Sequence, residues 1–347
     1  MKPEEIIESL AALGDILRCP ASGRQGKHSS LINSVISRQQ EINPWFTPEN
    51  VRLAFDAIAF NLKTEKLDEW VSRYPLIREK REPLTIGIIM AGNIPLVGFH
   101  DLLSVLITGN KALIKTSSKD PELPVFMADL LADINSGFRD LIFFSEGPLK
   151  GFDAVIATGS NNTSRYFEYY FGKYPNLIRK NRNSIAVISG SETIEELQMV
   201  GDDIFSYFGL GCRNVSKLYL PEGYDTGLFS KAWKKYSVLV NHTKYANNYD
   251  YYKAVYLVNR EKFEDFGFCM LKEERALASP VSVVHYEYYR RDEDFDRMIG
   301  PDMDKIQCIT GRGLLDFGKT QWPGLDDYAD GRDTVDFILK IKPQENL

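Results

Sequence analysis

The chain has 347 residues, a length at which two domains are the expectation. Hydrophobic residues make up 44% and charged residues 26%, which is ordinary globular composition and excludes a disordered, fibrous or collagen-like chain. A net charge of −6 argues against a nucleic-acid partner, because non-specific binding needs a basic surface.

The N-terminal part reads as helical. Residues 4–17 carry Ile6, Ile7, Leu10, Leu13 and Ile16 at helical spacing. Thr47-Pro48-Glu49 is a helix start, a hydroxyl cap followed by proline at the first helical position, and residues 48–61 continue it. From residue 84 the pattern changes. Residues 85–90 (TIGIIM) read as a buried strand, 96–107 as a helix and 111–115 (KALIK) as a second strand. Asp120-Pro121 starts a further helix, and 141–144 and 154–157 are short strands. A helix over 160–171, a strand over 185–189 and a helix over 191–207 follow. A strand at 218–220, a helix over 226–240 and a strand at 255–258 open a second α/β unit, to which 281–286 (VSVVHY) adds a strand. Residues 334–341 (TVDFILKI) alternate like a strand. Strands alternating with helices predict an α/β fold of two domains with open, mostly parallel sheets. The boundaries read from this pattern are 1–205, 206–325 and 326–347, the last a returning strand.

The most apolar stretch, 84–108, holds Asn93, Pro95, His100 and Asp101 at its middle. A bilayer would charge several kcal/mol for each polar group, so no membrane span is expected there. The start, MKPEEIIESL, lacks the apolar run of a signal peptide. Cysteines at 19, 212, 269 and 308 form no C-x-x-C pair and no disulfide framework, which fits a reducing cytoplasm. Histidines at 28, 100, 242 and 285 form no metal pattern, so no metal is expected. His100-Asp101 reads as a buried polar pair.

Four segments carry chemistry-bearing residues. Cys212 lies in Gly-Leu-Gly-Cys-Arg-Asn (209–214), where glycines leave the sulfur unshielded. It is a candidate nucleophile whose thiolate Arg213 or a neighbouring helix N-terminus would favour; a small buried residue beside a tight turn is the alternative. Asn93, in Gly-Asn-Ile-Pro after the first strand, is either an oxyanion donor or the cap of the next helix. Lys115 ends a strand and precedes Thr116, Ser117 and Ser118. That is a place to hold a ribose or phosphate, unless the lysine is simply solvated. Thr158-Gly159-Ser160 joins a strand to a helix start, suited either to a pyrophosphate or to ordinary capping by Ser160. No G-x-G-x-x-G, G-x-S-x-G or Walker sequence is present.

Taken in order, Asn-x-Pro, Gly-Asn-(x)4-Lys, Thr-Gly-Ser and Gly-x-x-Cys resemble the aldehyde dehydrogenase superfamily. Within it, GNIPLVGFHDLLSVLITGNKALIKTSSKDP, ATGSNNTSRYFEYYF, GLGCRNVSKLYLP and ALASPVSVVHYE are most similar to the LuxC-like acyl-CoA reductases, the fatty acid reductase family. The resemblance implies an aldehyde dehydrogenase-like fold. It also implies Cys212 as nucleophile, Asn93 and the Cys212 backbone N–H as oxyanion donors, Lys115 at the adenosine ribose, and Gly159 and Ser160 at the pyrophosphate. Ser118 stands where many NAD-using relatives have glutamate, which makes NADPH acceptable with NADH still possible. The Glu-Leu-Gly-Gly stretch of the oxidising enzymes is replaced by Ile178-Arg179-Lys180-Asn181-Arg182-Asn183, so the glutamate that activates water is missing. The Glu-x-Phe-Gly-Pro ribose motif is replaced by Ala276-Leu277-Ala278-Ser279-Pro280, with Glu274 a candidate substitute.

These features imply an acyl-CoA or acyl-carrier-protein thioester as substrate, an aldehyde as product, and a homo-oligomer built through residues 334–341. Two other readings stay open: a nicotinamide-free acyl-cysteine transferase or thioesterase, and a non-catalytic acyl-binding subunit on the same scaffold.

Overall fold

The computed structural model describes residues 1–18 and 28–341, so Cys19 lies outside the described residues. The chain forms two compact units, one made of residues 1–181 and 324–347 and the other of residues 182–323.

The first unit opens with α1 (Pro3–Arg18), α2 (Ser29–Ile42), α3 (Pro48–Asn61) and α4 (Thr64–Ser72). In α1, Ile6, Leu10, Leu13 and Leu17 share a face and are fully buried. Each such burial is worth about 1.5–3 kcal/mol relative to exposure. The expected cap of α3 is present: Thr47 Oγ1 accepts from Asn50 N at 3.3 Å. The sheet follows, with β1 (Thr85–Ile89), α5 (Phe99–Ile107), β2 (Lys111–Lys115), α6 (Leu123–Ile134), β3 (Ile142–Phe144), β4 (Ala154–Thr158), α7 (Asn161–Phe171) and β5 (Asn176–Arg179). The five strands lie in the order β3-β2-β1-β4-β5 and all their pairings are parallel. From β1 the chain moves outward through β2 and β3, then returns to the other side for β4 and β5. Sheets of this kind bind ligands outside the strand carboxyl ends at that reversal, here between β1 and β4.

The second unit holds β6 (Asn183–Val187), α8 (Ile194–Phe205), β7 (Val215–Pro221), α9 (Gly227–Ala232), α10 (Thr243–Val258), β8 (Glu264–Asp265), β9 (Met270–Glu273), β10 (Val283–Tyr289), α11 (Asp292–Ile299) and β11 (Ile306–Thr310). Its strand order is β11-β6-β7-β10-β9-β8, parallel except for the β8–β9 pairing. The chain then returns to the first unit with α12 (Thr334–Leu339). The two mostly parallel sheets agree with the expected architecture.

Four expectations are corrected. The division falls at 181 and 323 rather than at 205 and 325, because β6 pairs with β7 and β11 and carries α8 into the second unit. Residues 255–258 are the last turn of α10, not a strand. That helix starts where His242 Nδ1 accepts from Tyr245 N at 3.3 Å, and it runs on through the apolar residues, leaving Leu257 and Val258 exposed. The helix expected over 226–240 is α-helical only to Ala232 and continues as a 3-10 helix over Trp233–Asn241. Residues 334–341 are not a strand either. Asp333 caps α12 by accepting from Asp336 N at 2.8 Å, and Val335, Ile338 and Leu339 fall at helical spacing into the core of the first unit. Helical and alternating patterns coincide over so short a run, and the cap decides between them. These residues offer no strand for pairing between copies.

His100 is half-buried and Asp101 buried, and the two have separate partners. His100 Nε2 lies 2.9 Å from Leu325 O, and its ring packs against Trp70 and Tyr328. Asp101 pairs with Arg179 at 2.7 Å, with side chains 8% and 4% exposed. Arg179 also donates to Ala329 O at 2.5 Å and Thr334 Oγ1 at 2.7 Å, so one guanidinium joins α5, the end of β5 and the start of α12. Removing the carboxylate strands a buried cation. Asp101→Ala is therefore expected to destabilise the protein by about 3–5 kcal/mol, read as a fall in the denaturant midpoint.

Candidate functional site

The carboxyl ends of β1, β2 and β4 gather most of the sequence-predicted site residues on one edge of the first unit. Ile89 and Lys115 are register partners, and Met90 N extends the pairing by donating to Lys115 O at 3.0 Å. The loops beyond them touch. A Cβ added to Gly92 would stand 2.6 Å from Ser117 Oγ, so only glycine fits there. Asn93 is exposed on the loop after β1. Lys115 Nζ donates to Glu146 O at 2.6 Å. Ser117 Oγ accepts from Lys119 N at 3.2 Å, and Ser118 is exposed. Thr158 ends β4. At Gly159 a Cβ would meet Phe167 at 2.9 Å and Thr163 at 3.1 Å, so the backbone runs close over the start of α7. Ser160 does cap α7, accepting from Thr163 N at 3.2 Å. Capping by one side chain still leaves other first-turn N–H groups of the helix to face an anion.

Cys212 belongs to the second unit, on the segment that leads into the amino end of β7. It is half-buried, and Cys212, Cys269 and Cys308 are thiols rather than disulfides. Tyr207, Phe208 and Gly209 all have positive φ, at 51°, 58° and 75°. Left-handed backbone costs a non-glycine residue about 1–2 kcal/mol, so the packed surroundings must hold this turn. Phe208 packs against His242 with the rings tilted and their centroids 4.4 Å apart. Asn214 gathers the rest. Its Nδ2 donates to Asp203 O, Ile204 O and Ser206 O at 3.1, 3.3 and 2.8 Å, and its Oδ1 accepts from Gly211 N at 2.8 Å. Ser184 Oγ donates to Cys212 O at 3.0 Å. Arg213 Nε donates to Thr320 O at 2.5 Å. Thr320 is in turn fixed by Asp203, whose carboxylate accepts from Thr320 N, Thr320 Oγ1 and Gly318 N. No helix begins at this turn, since a strand follows it.

Sequence reasoning missed Asn214, Asp203, Thr320 and Ser184. Only Asp203 left a signal: it is an acid at an apolar-spaced position of α8, where Val200 and Ile204 are buried. Asn214→Ala would leave three carbonyls and one N–H without this partner. It is expected to cost about 2–3 kcal/mol, read as a lower melting midpoint.

The loop replacing the expected ribose motif is clamped by its carbonyls. Lys217 Nζ donates to Arg275 O at 2.7 Å, and Ser216 Oγ donates to Leu277 O at 2.7 Å. His285 Nδ1 lies 2.9 Å from Ala276 O. Glu274 is committed to this loop. The hydrogen bond from Lys272 is the main cause that draws its carboxyl down to about 2, and the N–H groups of Arg275 and Ala276 add to it.

Asp120, between β2 and α6, has its carboxyl pushed up to about 7 by burial, against the opposing pull of the Leu96 and Leu123 N–H groups. An ordinary aspartate titrates near 4, so between about pH 4 and 7 the folded protein holds a proton that the unfolded chain releases. Stability is therefore greatest below this window and falls as pH rises through it. Denaturant midpoints at pH 5 and pH 8 are expected to differ more in the unaltered protein than in Asp120→Asn.

Among the described residues, no group of three or more His, Cys, Asp or Glu could hold a metal ion. No helix among them is long and apolar enough to cross a membrane.

The family model described as acyl-CoA reductase (LuxC) matches residues 45–223. The long-chain acyl-protein thioester reductase of Aliivibrio fischeri is 25% identical over 182 residues, which cover 48% of this chain and 38% of that protein. The chain thus matches well under half of that relative. Among solved structures, aldehyde dehydrogenase 21 of Physcomitrella patens in complex with succinate aligns with a TM-score of 0.63 at 14% identity, covering 98% of this chain and 84% of that one. Mycobacterium tuberculosis aldehyde dehydrogenase complexed with NAD+ aligns at 0.62 and 14% identity, over 86% and 71%. Lactaldehyde dehydrogenase from Escherichia coli aligns at 0.62 and 15% identity, over 89% and 78%. The fold is aldehyde dehydrogenase-like.

Proposed function

Because the chain belongs to the LuxC acyl-CoA reductase family, we propose that it reduces an acyl thioester to an aldehyde through an S-acyl Cys212, with NADPH as the hydride source. The observation that carries this reading is that the one family-matched stretch, 45–223, contains Asn93, Lys115, Thr158, Gly159, Ser160 and Cys212 together.

The residues present fit a nicotinamide dinucleotide. At Gly159 and Ser160 the chain turns into the start of α7, whose first-turn N–H groups beyond the one taken by Ser160 suit a pyrophosphate. Lys115, Ser117 and Ser118 supply an ammonium and two hydroxyls suited to the adenosine ribose and its 2′-phosphate, and none carries a charge that would repel that phosphate. NADH would bind the same edge with fewer contacts. When bound, the reduced nicotinamide supplies a hydride to a thioester carbonyl.

The protein's own part begins with the Cys212 thiolate attacking the carbonyl carbon of an acyl-CoA or acyl-carrier-protein thioester. The new C–S bond forms as the carrier's C–S bond breaks, and the carrier leaves as its thiol. After reduction, Asn93 and the Cys212 backbone N–H hold the oxyanion of the thiohemiacetal. That oxyanion collapses to the aldehyde and expels the Cys212 thiolate. Residues 178–183 offer no carboxylate to activate water, which argues against release of the acyl group as a free acid.

The test is a spectrophotometric assay of NADPH oxidation across acyl-CoA chain lengths, with the aldehyde trapped as a hydrazone. The expected result is one aldehyde formed per NADPH consumed. Free fatty acid formed at the same rate with and without NADPH would overturn the reading.

A further inference from the structure

Asp120 stands outside every contact assigned above to substrate or cofactor. Its side chain is nevertheless spent on the loop that carries Asn93. It is 2% exposed, and its Oδ2 accepts from Leu96 N at 2.8 Å. It also receives the N–H of Leu123 at the start of α6. Leu96 is the third residue after Asn93 and sits at φ 56°, a left-handed conformation that leucine adopts only under constraint. The opposite end of the same loop is met by the same segment: Ser117 packs on Gly92, and Asp120 N donates to Ser117 O at 3.1 Å. Residues 117–120 therefore grip the loop at Gly92 and again at Leu96, with Asn93 between the two holds.

Meeting the Leu123 N–H alone would not call for this residue, since α6 has Glu122 at its N-cap and no side-chain cap. A serine or asparagine would accept that N–H without burying an acid. Here the other oxygen, Oδ1, is buried with no hydrogen-bond partner among the described residues. The fold tolerates an under-satisfied carboxyl where the strained Leu96 N–H needs an acceptor.

We propose that Asp120 is a positioning residue that sets the Asn93 loop in its working geometry by fixing the left-handed turn at Leu96. This rests on Asn93 being the oxyanion donor of the proposed reductase. Asp120 does not touch the reacting atoms; it acts through Asn93.

Two measurements test it. The first is a double-mutant cycle on kcat with a saturating acyl-CoA and NADPH. Asp120→Ala is expected to lower kcat by about tenfold to a hundredfold with the KM for NADPH unchanged. Asp120→Asn, whose amide oxygen still accepts from Leu96 N, is expected to restore most of the loss. In an Asn93→Ala background, adding Asp120→Ala is expected to change kcat little. Equal losses with and without Asn93 would overturn the proposal while leaving the reductase reading intact.

The second measurement does not depend on activity. Hydrogen exchange of the 91–98 amides is expected to quicken in Asp120→Ala and to stay slow in Asp120→Asn, with α5 unaffected. Unchanged protection of 91–98 in Asp120→Ala would equally overturn the proposal. Absence of thioester reduction by the unaltered protein would instead strike the reductase reading, and the exchange result would still decide whether Asp120 holds the loop.

Discussion

Cys212→Ala is expected to abolish NADPH-dependent thioester reduction while leaving NADPH affinity within error of the unaltered protein. The reason is chemical. Sulfur forms the acyl bond readily and leaves again from the thiohemiacetal, and no other side chain at this turn can do both. Arg213 is directed to Thr320 O and Asn214 is consumed by four hydrogen bonds, so neither can replace the thiol. The residues assigned to the cofactor, Lys115 and Ser160, belong to the first unit, and Cys212 belongs to the second. Binding measured by quenching of protein fluorescence should therefore persist when turnover is gone. Retained turnover in Cys212→Ala would exclude a covalent route.

Asn93→Ala is expected to have the next largest effect, lowering kcat by about 10²–10³, or roughly 3–4 kcal/mol of transition-state stabilisation. An oxyanion donor acts on charge that exists only during the reaction, so KM for the acyl-CoA should change little. Asn93 is exposed on its loop whereas Asp101 is buried against Arg179, so stability should fall by far less than in Asp101→Ala. A variant that lost stability and activity in proportion would point to a structural asparagine instead.

The α/β character and the first sheet were legible because its elements carry strong local signals. β1 and β2 have apolar centres, β1 running towards Gly92-Asn93 and β2 following Gly109-Asn110, and α3 announces itself by Thr47-Pro48. The errors fall where local signals compete. Residues 255–258 (VYLV) are all large and apolar or aromatic, yet they extend a helix already nucleated at His242. Residues 334–341 fit a strand and a helix equally until the Asp333 cap is counted. The domain boundary could not be read because β5 and β6 are separated by only three residues, and which sheet each joins is decided by long-range pairing.

The candidate site was legible in its exposed chemistry: Asn93, Lys115, Ser160 and Cys212 sit in Gly- and hydroxyl-rich turns after or before strands. Its supports were not. Ser184, Asn214, Thr320 and Asp120 are ordinary residues in sequence, and they matter because distant segments bring backbone groups to them.

The central claim is the S-acyl enzyme, and mass spectrometry tests it directly. The protein is incubated with a long-chain acyl-CoA in the absence of nicotinamide, then digested and analysed. A single acyl adduct is expected on the peptide carrying Cys212, stable until NADPH is added and then discharged as aldehyde. An unmodified Cys212 in a preparation that reduces the same thioester, or an adduct that decays to free acid without NADPH, would contradict it.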